Sequence, residues 1–491
     1  MIKRIKKNAL TVNTVLFISA MIVYATSAIF NNGYYYYDEH YQLIEFAELK
    51  AGNNAPSDLS WEYNAQIRSA TQPVIAFYFM SVFRWLGLTD HYKLMIALRM
   101  ITALLAVCSI TYFIQRTQHL LHSSLWVSYR LTAYFLWFLP FVNVRFSSES
   151  YSGLALILSV AVLFSRNKNR YMLFGLLCGL NFIFRFQSAF MSFGIIVWLI
   201  VVHKIALKDL FKIVTALATM IFAGFLIDFW FYNSATITFV NYYVANIVDG
   251  AASRYGVSPW YFYFTESSQD ATLPIGIVIW ASILMCCLFR GKSLICWIIV
   301  PFLLVHALTP HKELRFLFPL ANIVPLFILS AYDCLQHLLG PCKHLKWPKM
   351  SAVFLLSVLN SGALLVTVFS PANNDGMMNI TETIHETYRG KDVILWIVGN
   401  ENPYHPIPPN QKFYLDKNVR TLPLELLSAA RFNRKYTNLI LIQERYVDLY
   451  SELFESYRLK DVTRSIPAWI SYLKGLDGRR DDPLLLYELE L

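Results

Sequence analysis

Residues 9–39 read ALTVNTVLFISAMIVYATSAIFNNGYYYYDE: an apolar run, four consecutive tyrosines from Tyr34 to Tyr37, and then the acidic pair Asp38-Glu39. Roughly 20 apolar residues cross the hydrocarbon core as a helix, so 9–30 is read as a span. Tyrosine favours the membrane–water interface, and four in a row mark where lipid ends. A carboxylate pair inside the bilayer is costly, so Asp38 and Glu39 belong at the membrane surface. Two readings of the pair stand: a base that meets a lipid-borne substrate, or ordinary loop acids after a span.

The rest of the chain repeats the first feature. Its 491 residues are 56% hydrophobic, 16% aromatic and only 15% charged, a balance foreign to a soluble domain of this length. Apolar stretches of spanning length fall near 9–30, 72–88, 92–114, 125–144, 189–203, 210–230, 273–289, 293–309, 316–335 and 349–370, with shorter ones at 152–165 and 171–184. No small-residue cleavage site follows the first, so it is expected to be retained. The class predicted is an α-helical polytopic membrane protein.

Basic loops orient it. Lys3, Arg4, Lys6 and Lys7 precede the first span, and Arg166, Lys168 and Arg170, then Lys204, Lys208 and Lys212, then Arg290 and Lys292, then Lys343, Lys346 and Lys349 mark later cytoplasmic loops. Segments 31–71 and 231–272 carry few basic residues, Arg68 and Arg254 among them, against an acidic surplus, and face the other side. Twelve crossings would return the C-terminus to the cytoplasm, whereas the later loops place it outside. About 11 spans are therefore expected, with one segment in 72–165 not crossing.

From about residue 371 the composition turns mixed and polar, with a proline-rich run from Asn402 to Pro409 and two apolar, strand-like runs, Val393–Val398 and Leu439–Ile442. Residues 1–370 are expected to form the transmembrane domain, with 31–71 as its first outer loop, and 371–491 a small extracytoplasmic α/β domain. That domain has 15 Lys and Arg against 17 Asp and Glu, a net of −2, so the preceding residues carry +12 and the two sum to the chain's formal +10. The basicity lies in cytoplasmic loops and a few cations among the spans, and nucleic acid is not an expected partner. Seven cysteines without a CxxC indicate neither a metal knuckle nor a disulfide framework; no metal or cofactor is expected.

Further clusters map to the face of Asp38-Glu39. His311-Lys312-Glu313-Leu314-Arg315-Phe316 places four ionisable residues between apolar runs. Such residues line a polar cavity or pair among themselves; if the segment is helical, Lys312 and Arg315 share a face and hold a phosphate. The alternative is a snorkelling helix end with an internal ion pair. Arg145-Phe146-Ser147-Ser148-Glu149-Ser150 and Phe184-Arg185-Phe186-Gln187 are the other two; each is either substrate-binding or half of a structural Arg–Glu brace. The aromatic segment Tyr255-Gly256-Val257-Ser258-Pro259-Trp260-Tyr261-Phe262-Tyr263-Phe264 suits a sugar ring and equally suits a helix lying in the interface.

Asp38-Glu39-His40-Tyr41-Gln42, then Leu59-Ser60-Trp61-Glu62-Tyr63 with Ile67-Arg68-Ser69, then Tyr255-Gly256, Pro259-Trp260 and Tyr263-Phe264, and finally His311-Lys312-Glu313-Leu314-Arg315-Phe316 occur in this order. The chain thereby resembles family 22 glycosyltransferases, the multi-span mannosyltransferases that build GPI anchors and N-glycan precursors. The resemblance covers roughly the first two thirds of the chain, and its most specific element is His-Lys-Glu-x-Arg-Phe. It implies a GT-C bundle, a polyprenyl- or dolichyl-phosphate mannose donor, a glycan or glycolipid acceptor, and Asp38 as the catalytic position. The family usually has His before Pro-Trp and again just after it; Ser258 and Tyr261 stand there in this chain.

On that reading Asp38 takes the acceptor's proton and Glu39 orients the acceptor or a neighbouring cation. Lys312 and Arg315, with His311 and Arg185, stabilise the departing lipid phosphate, while Glu313, Arg145, Glu149 and Trp260 complete the substrate site. The rivals are a lipid flippase or transporter, which would bring repeated halves and midplane charges, and a GT-C transferase acting on protein or lipid A. The absence of a Lys-rich retrieval tail from Tyr487-Glu488-Leu489-Glu490-Leu491, with no more than a single outward sequon, Asn379-Ile380-Thr381, leans the expectation toward a bacterial inner membrane with the active site outside, the endoplasmic reticulum membrane with a lumenal site being the alternative. The orientation has a direct test. In a background lacking native cysteines, Ser57→Cys should react with a membrane-impermeant thiol reagent added from outside, and Asn167→Cys should not; labelling of the latter would reverse the topology.

Overall fold

The computed structural model describes residues 2–340, 346–372, 376–405, 411–424, 432–450, 457–476 and 482–490. Lys343 of the last basic loop and Pro406, Pro408 and Pro409 of the proline-rich run lie outside the described residues. The chain divides into two compact units: one comprises 1–27, 65–75 and 99–368, the other 28–64, 76–98 and 369–491. The unit that holds the C-terminal segment thus also takes in most of the first outer loop.

Helices occupy the apolar stretches to within a few residues. Five, Thr11–Phe30, His91–Leu120, Leu207–Tyr232, Leu314–Leu338 and Trp347–Phe369, are long and apolar enough to cross a membrane among the described residues. Helices Leu273–Phe289 and Leu294–Leu308 meet at a 117° bend, and Ser148–Leu163, Arg170–Phe184 and Phe186–Val201 are shorter apolar helices. Stretch 125–144 is not one helix. It breaks at Leu136, where ψ turns to 122°, between helices Trp126–Phe135 and Phe138–Asn143. In lipid a broken backbone must find partners, and Asn360 supplies both: its Nδ2 donates to the Phe135 carbonyl at 2.8 Å and its Oδ1 accepts from Trp137 N at 2.9 Å.

Helix Ser148–Leu163 is the buried centre of the first unit, with nearly every residue covered. Its Gly153 lets it approach a 3₁₀ helix, Leu314–Ile323, so closely that a Cβ would stand 3.1 Å from the Pro319 backbone. Helix Arg170–Phe184 packs on Leu207–Tyr232 in the same manner. Gly175 and Gly179, one small-xxx-small repeat, face Ile213, Ala216, Leu217 and Met220. Between lipid-embedded helices, where water gives no hydrophobic drive, such close approach is what holds the pair.

In the second unit a five-stranded sheet runs in the order β2-β1-β3-β5-β4, with β1 Val393–Ile397, β2 Val419–Pro423, β3 Thr437–Gln443, β4 Arg458–Arg464 and β5 Leu484–Glu490. β1 is parallel to β2 and β3, and β5 is antiparallel to β3 and β4. Helix Met377–Thr387 covers one face, packing Ile380 and Ile384 on Val393, Leu395, Leu439 and Leu441. The opposite face buries Ile394, Trp396, Ile440 and Ile442. Strands covered on both faces read as continuous apolar runs, which is why β1 and β3 stand out in the sequence. The sequon lies inside helix Met377–Thr387, with Asn379 Nδ2 already donating to the Ser465 carbonyl at 2.8 Å and Thr381 buried.

Gly175→Val should lower the thermal midpoint of the detergent-purified protein, because overpacking a close contact costs about 1–3 kcal/mol or more. Gly362, with open space around it in helix Lys346–Phe369, is the control: Gly362→Ala should leave the midpoint unchanged or slightly higher. Equal tolerance at both positions would contradict the packing account.

Candidate active site

The ionisable residues of the first unit gather on three short segments. The first opens helix Ser148–Leu163. Ser147 is its N-cap, the hydroxyl accepting from Ser150 N at 3.2 Å, and Glu149 sits in the first turn, where the helix dipole favours an acid. The second is the break between helix Arg170–Phe184 and the 3₁₀ turn Phe186–Ser188. Arg185 takes an extended conformation there, φ −153° and ψ 110°, between two apolar helices. The third is His311–Phe316. It is not helical at its start: Glu313 is extended at φ −135° and ψ 143°, and a 3₁₀ helix containing Pro319 begins at Leu314. Lys312 and Arg315 therefore do not share a helix face, since Glu313 between them is extended.

Glu149 joins the segments. Its Oε1 accepts from Arg185 Nη1 at 2.5 Å and lies 3.5 Å from Arg315 Nη1. Arg315 Nε donates to Glu313 Oε2, and Glu313 Oε1 is 2.8 Å from His311 Nε2. The Phe316 ring lies against both guanidiniums, 4.7 Å from that of Arg185 and 5.3 Å from that of Arg315. Lys312 is buried and donates to the carbonyls of Ser258 at 2.9 Å and Thr309 at 2.5 Å. Burial holds its ammonium below the usual lysine value. Arg145 is also buried, with its guanidinium 5.1 Å from the Phe141 ring.

The brace reading for Arg185 and Glu149 is thus realised, but it does not use up Arg185. Arg145, Arg185, Lys312 and Arg315 are all buried. Arg185, moreover, has Nε and Nη2 buried with no hydrogen-bond partner among the described residues. Buried donors in that condition are rare and call for an explanation.

The aromatic segment is tied to this motif through its backbone. Ser258 N donates to the Pro310 carbonyl at 3.0 Å, and the Gly256 carbonyl lies 3.3 Å from His311 Nδ1. Trp260 is 73% exposed and is not brought into the cluster. Sequence reasoning missed two supports. Asn143 and Asn322 exchange amide hydrogen bonds at 2.8 Å, and Asp228 accepts from Ala70 N at 2.7 Å and Thr238 Oγ1 at 2.7 Å, anchoring the chain ahead of helix Thr71–Trp85. A polar residue inside an apolar run was the only signal available for either.

In the second unit, Asp38 is half-buried on the short helix Tyr37–Tyr41, and Glu39 is buried, its Oε2 accepting from Tyr35 N at 3.3 Å. His40 stacks between Tyr34 and Tyr414, with ring centroids 5.3 Å away on each side, and lies 2.9 Å from Glu45 Oε1. Glu45 also accepts from Phe413 N at 3.1 Å and from Asn54 Nδ2 at 2.6 Å. Lys412 reaches Asp58 at 2.6 Å, and Tyr34 donates to Gln411 Oε1 at 3.1 Å. Residues 411–414 thus grip the loop that bears Asp38. Burial works against ionisation of Glu45, but it is outweighed by the hydrogen bond and charge of His40, the Phe413 N–H and Asn54, which together hold the carboxyl below its ordinary 4.5.

Residues 15–394 match the model of the Alg9-like mannosyltransferase family. The chain belongs to that family. Among relatives, GPI mannosyltransferase 3 of Yarrowia lipolytica is 25% identical over 79% of this chain and 72% of its own length. GPI alpha-1,2-mannosyltransferase 3 of Bos taurus is 24% identical over 76% and 66% respectively, and that of Homo sapiens 26% identical over 65% and 56%. The chain thus spans from about three quarters to little over half the length of these relatives. The crystal structure of ArnT from Cupriavidus metallidurans bound to undecaprenyl phosphate superposes with a TM-score of 0.51 at 10% identity, over 96% of this chain and 97% of that one. A mostly helical chain with a small C-terminal sheet and this likeness has the GT-C fold. This Alg9-like chain is therefore a multi-pass membrane glycosyltransferase, as its motifs implied.

The grip on the Asp38 loop has a pH signature. Because the folded Glu45 carboxyl ionises at lower pH than the unfolded one, its stabilisation is complete above about 4.5 and is lost as pH falls through the depressed folded value. Glu45→Gln should lower the thermal midpoint at pH 7, by the equivalent of about 1.5–3 kcal/mol. The gap to wild type should narrow below pH 4; a gap independent of pH would contradict the assignment.

Proposed function

We propose that the protein transfers a hexose, mannose by analogy with its relatives' names, from a polyprenyl- or dolichyl-phosphate carrier to a hydroxyl of a lipid-linked or surface glycan. The observation that carries this reading is the cluster of buried cations around Glu149, in which Arg185 Nε and Nη2 have no partner among the described residues. A lipid phosphate supplies the missing acceptor: it presents several oxygens to forked guanidiniums, and it arrives through the bilayer. The solved relative in fold holds undecaprenyl phosphate, a carrier of the same chemical class.

In the reaction proposed, Asp38 removes the proton from the acceptor hydroxyl as that oxygen attacks the anomeric carbon on the side away from the phosphate. The bond from that carbon to the phosphate oxygen breaks, the phosphate keeps the electron pair, and the configuration inverts. Lys312, Arg315 and Arg185 stabilise the charge that grows on the phosphate, Arg145 adds to the field, and Glu149, Glu313 and His311 hold the arginines in register. Glu39, engaged with Tyr35 N, keeps helix Tyr37–Tyr41 in position. The reaction takes place on the extracytoplasmic face, in a bacterial inner membrane or on the lumenal side of the endoplasmic reticulum.

Purified protein given a polyprenyl-phosphate mannose and an acceptor glycan should release polyprenyl phosphate in step with glycan extension. Asp38→Asn keeps the side-chain size but cannot take the proton, so turnover should fall at least about 10²-fold with folding and donor affinity retained. Lys312→Ala and Arg315→Ala should each weaken use of the donor by about 1.5–3 kcal/mol. Near-normal transfer by Asp38→Asn would remove it from the role of base, and normal donor use by both cation variants would reduce the cluster to a structural ion pair.

A further inference from the structure

One buried polar group beside the cations is left over by this scheme. His306 lies in the last turn of helix Leu294–Leu308 and is only 4% exposed. Its Nδ1 is 2.9 Å from the Phe302 carbonyl oxygen one turn back. A carbonyl accepts and never donates, so Nδ1 carries the hydrogen, and in the neutral ring Nε2 is then the nitrogen with the free lone pair. Nε2 is buried and has no hydrogen-bond partner among the described residues. Buried polar groups in that condition are rare and point to a missing partner.

The surroundings say what that partner is. The His306 ring packs on Phe302 at 3.9 Å between centroids, with Tyr263 at 6.2 Å and Phe316 at 6.4 Å. Phe316 is the ring that carries the Arg185 and Arg315 guanidiniums. His306 therefore borders the phosphate-binding cluster across a shared aromatic wall, yet it contributes an acceptor where every neighbouring charged donor favours an anion. A phosphate oxygen brings no hydrogen to a lone pair, whereas a hydroxyl does. In the proposed donor the phosphate bears a polyprenyl chain and the hexose, of which only the hexose has hydroxyls, and aromatic walls with one polar acceptor suit a sugar face.

We infer that His306 Nε2 accepts a hydrogen bond from one hydroxyl of the hexose carried on the donor lipid phosphate, and thereby takes part in choosing the sugar. The inference rests on the reading of the chain as a polyprenyl-phosphate hexosyltransferase. A site built to accept a particular hydroxyl discriminates against the analogue that lacks it, so the residue is a specificity determinant as well as a contact.

The test compares wild type, His306→Phe and His306→Gln on polyprenyl-phosphate mannose and on a series of its monodeoxy analogues. Wild type should lose at least about 10-fold in kcat/KM on one particular analogue. His306→Phe keeps the ring shape without the acceptor, so that single penalty should vanish while the penalties at other positions stay. His306→Gln can present its amide oxygen in place of Nε2 and should retain part of the discrimination. Should His306→Phe fail to fold, His306→Asn, which preserves a donor near the Nδ1 position but reaches no further, serves for the same comparison. Discrimination unchanged at every position would overturn the inference. So would a uniform rise in KM for all donors, since that marks a phosphate contact. If wild type transfers no hexose from any of these donors, the proposed function itself fails, an outcome distinct from either.

Discussion

Glu149 holds Arg185 at 2.5 Å, stands 3.5 Å from Arg315, and does so from the first turn of the most buried helix in the membrane unit. Removing one partner of such a buried pair costs about 3–5 kcal/mol because the other is left charged and dry, so this carboxylate fixes three chain segments at once. A protein seeking stability alone would pair every such group or replace it with an apolar side chain; this one buries an arginine whose Nε and Nη2 have no partner among the described residues. Those N–H groups are where the proposed lipid phosphate would bind.

Much of this was readable from residue order. The apolar stretches became helices to within a few residues, and the Arg-Phe-Ser-Ser-Glu, Phe-Arg-Phe and His-Lys-Glu-Leu-Arg-Phe clusters, flagged because charge among apolar residues needs a reason, were brought together. What failed was local geometry. Stretch 125–144 reads as one span by its apolar length, although Pro140 has no N–H to bond to the Leu136 carbonyl one turn back; the break is underwritten by Asn360, more than two hundred residues away. Lys312 and Arg315 have helical spacing, but Pro310 and the extended Glu313 deny them a helix. His306 passed unnoticed, as a single histidine in an apolar run carries no pattern; its meaning lies in which nitrogen is already bonded.

The C-terminal segment also acquires a task. Its strands could be read from continuous apolar runs, but its relation to the first outer loop could not, since contacts such as Glu45 with Phe413 N and Lys412 with Asp58 link residues hundreds apart. The second unit is built around that loop, stacking His40 between Tyr34 and Tyr414 and burying Glu39. The base proposed for Asp38 would have to meet a hydroxyl within hydrogen-bond reach, which calls for a rigid mount, and a sheet-backed segment supplies more rigidity than a free loop at the membrane surface.

The central claim is that the buried cation cluster around Arg185 holds a lipid phosphate, and binding of the reaction product tests it without any turnover. Thermal unfolding of the purified protein would be followed with increasing polyprenyl phosphate and, separately, with the corresponding polyprenol, which has the same chain and no phosphate. A ligand bound only by the folded state raises the midpoint with concentration. The account predicts such a rise with polyprenyl phosphate, its near loss in Arg315→Ala, and none with polyprenol; equal stabilisation by both lipids, or an undiminished rise in the variant, would contradict it.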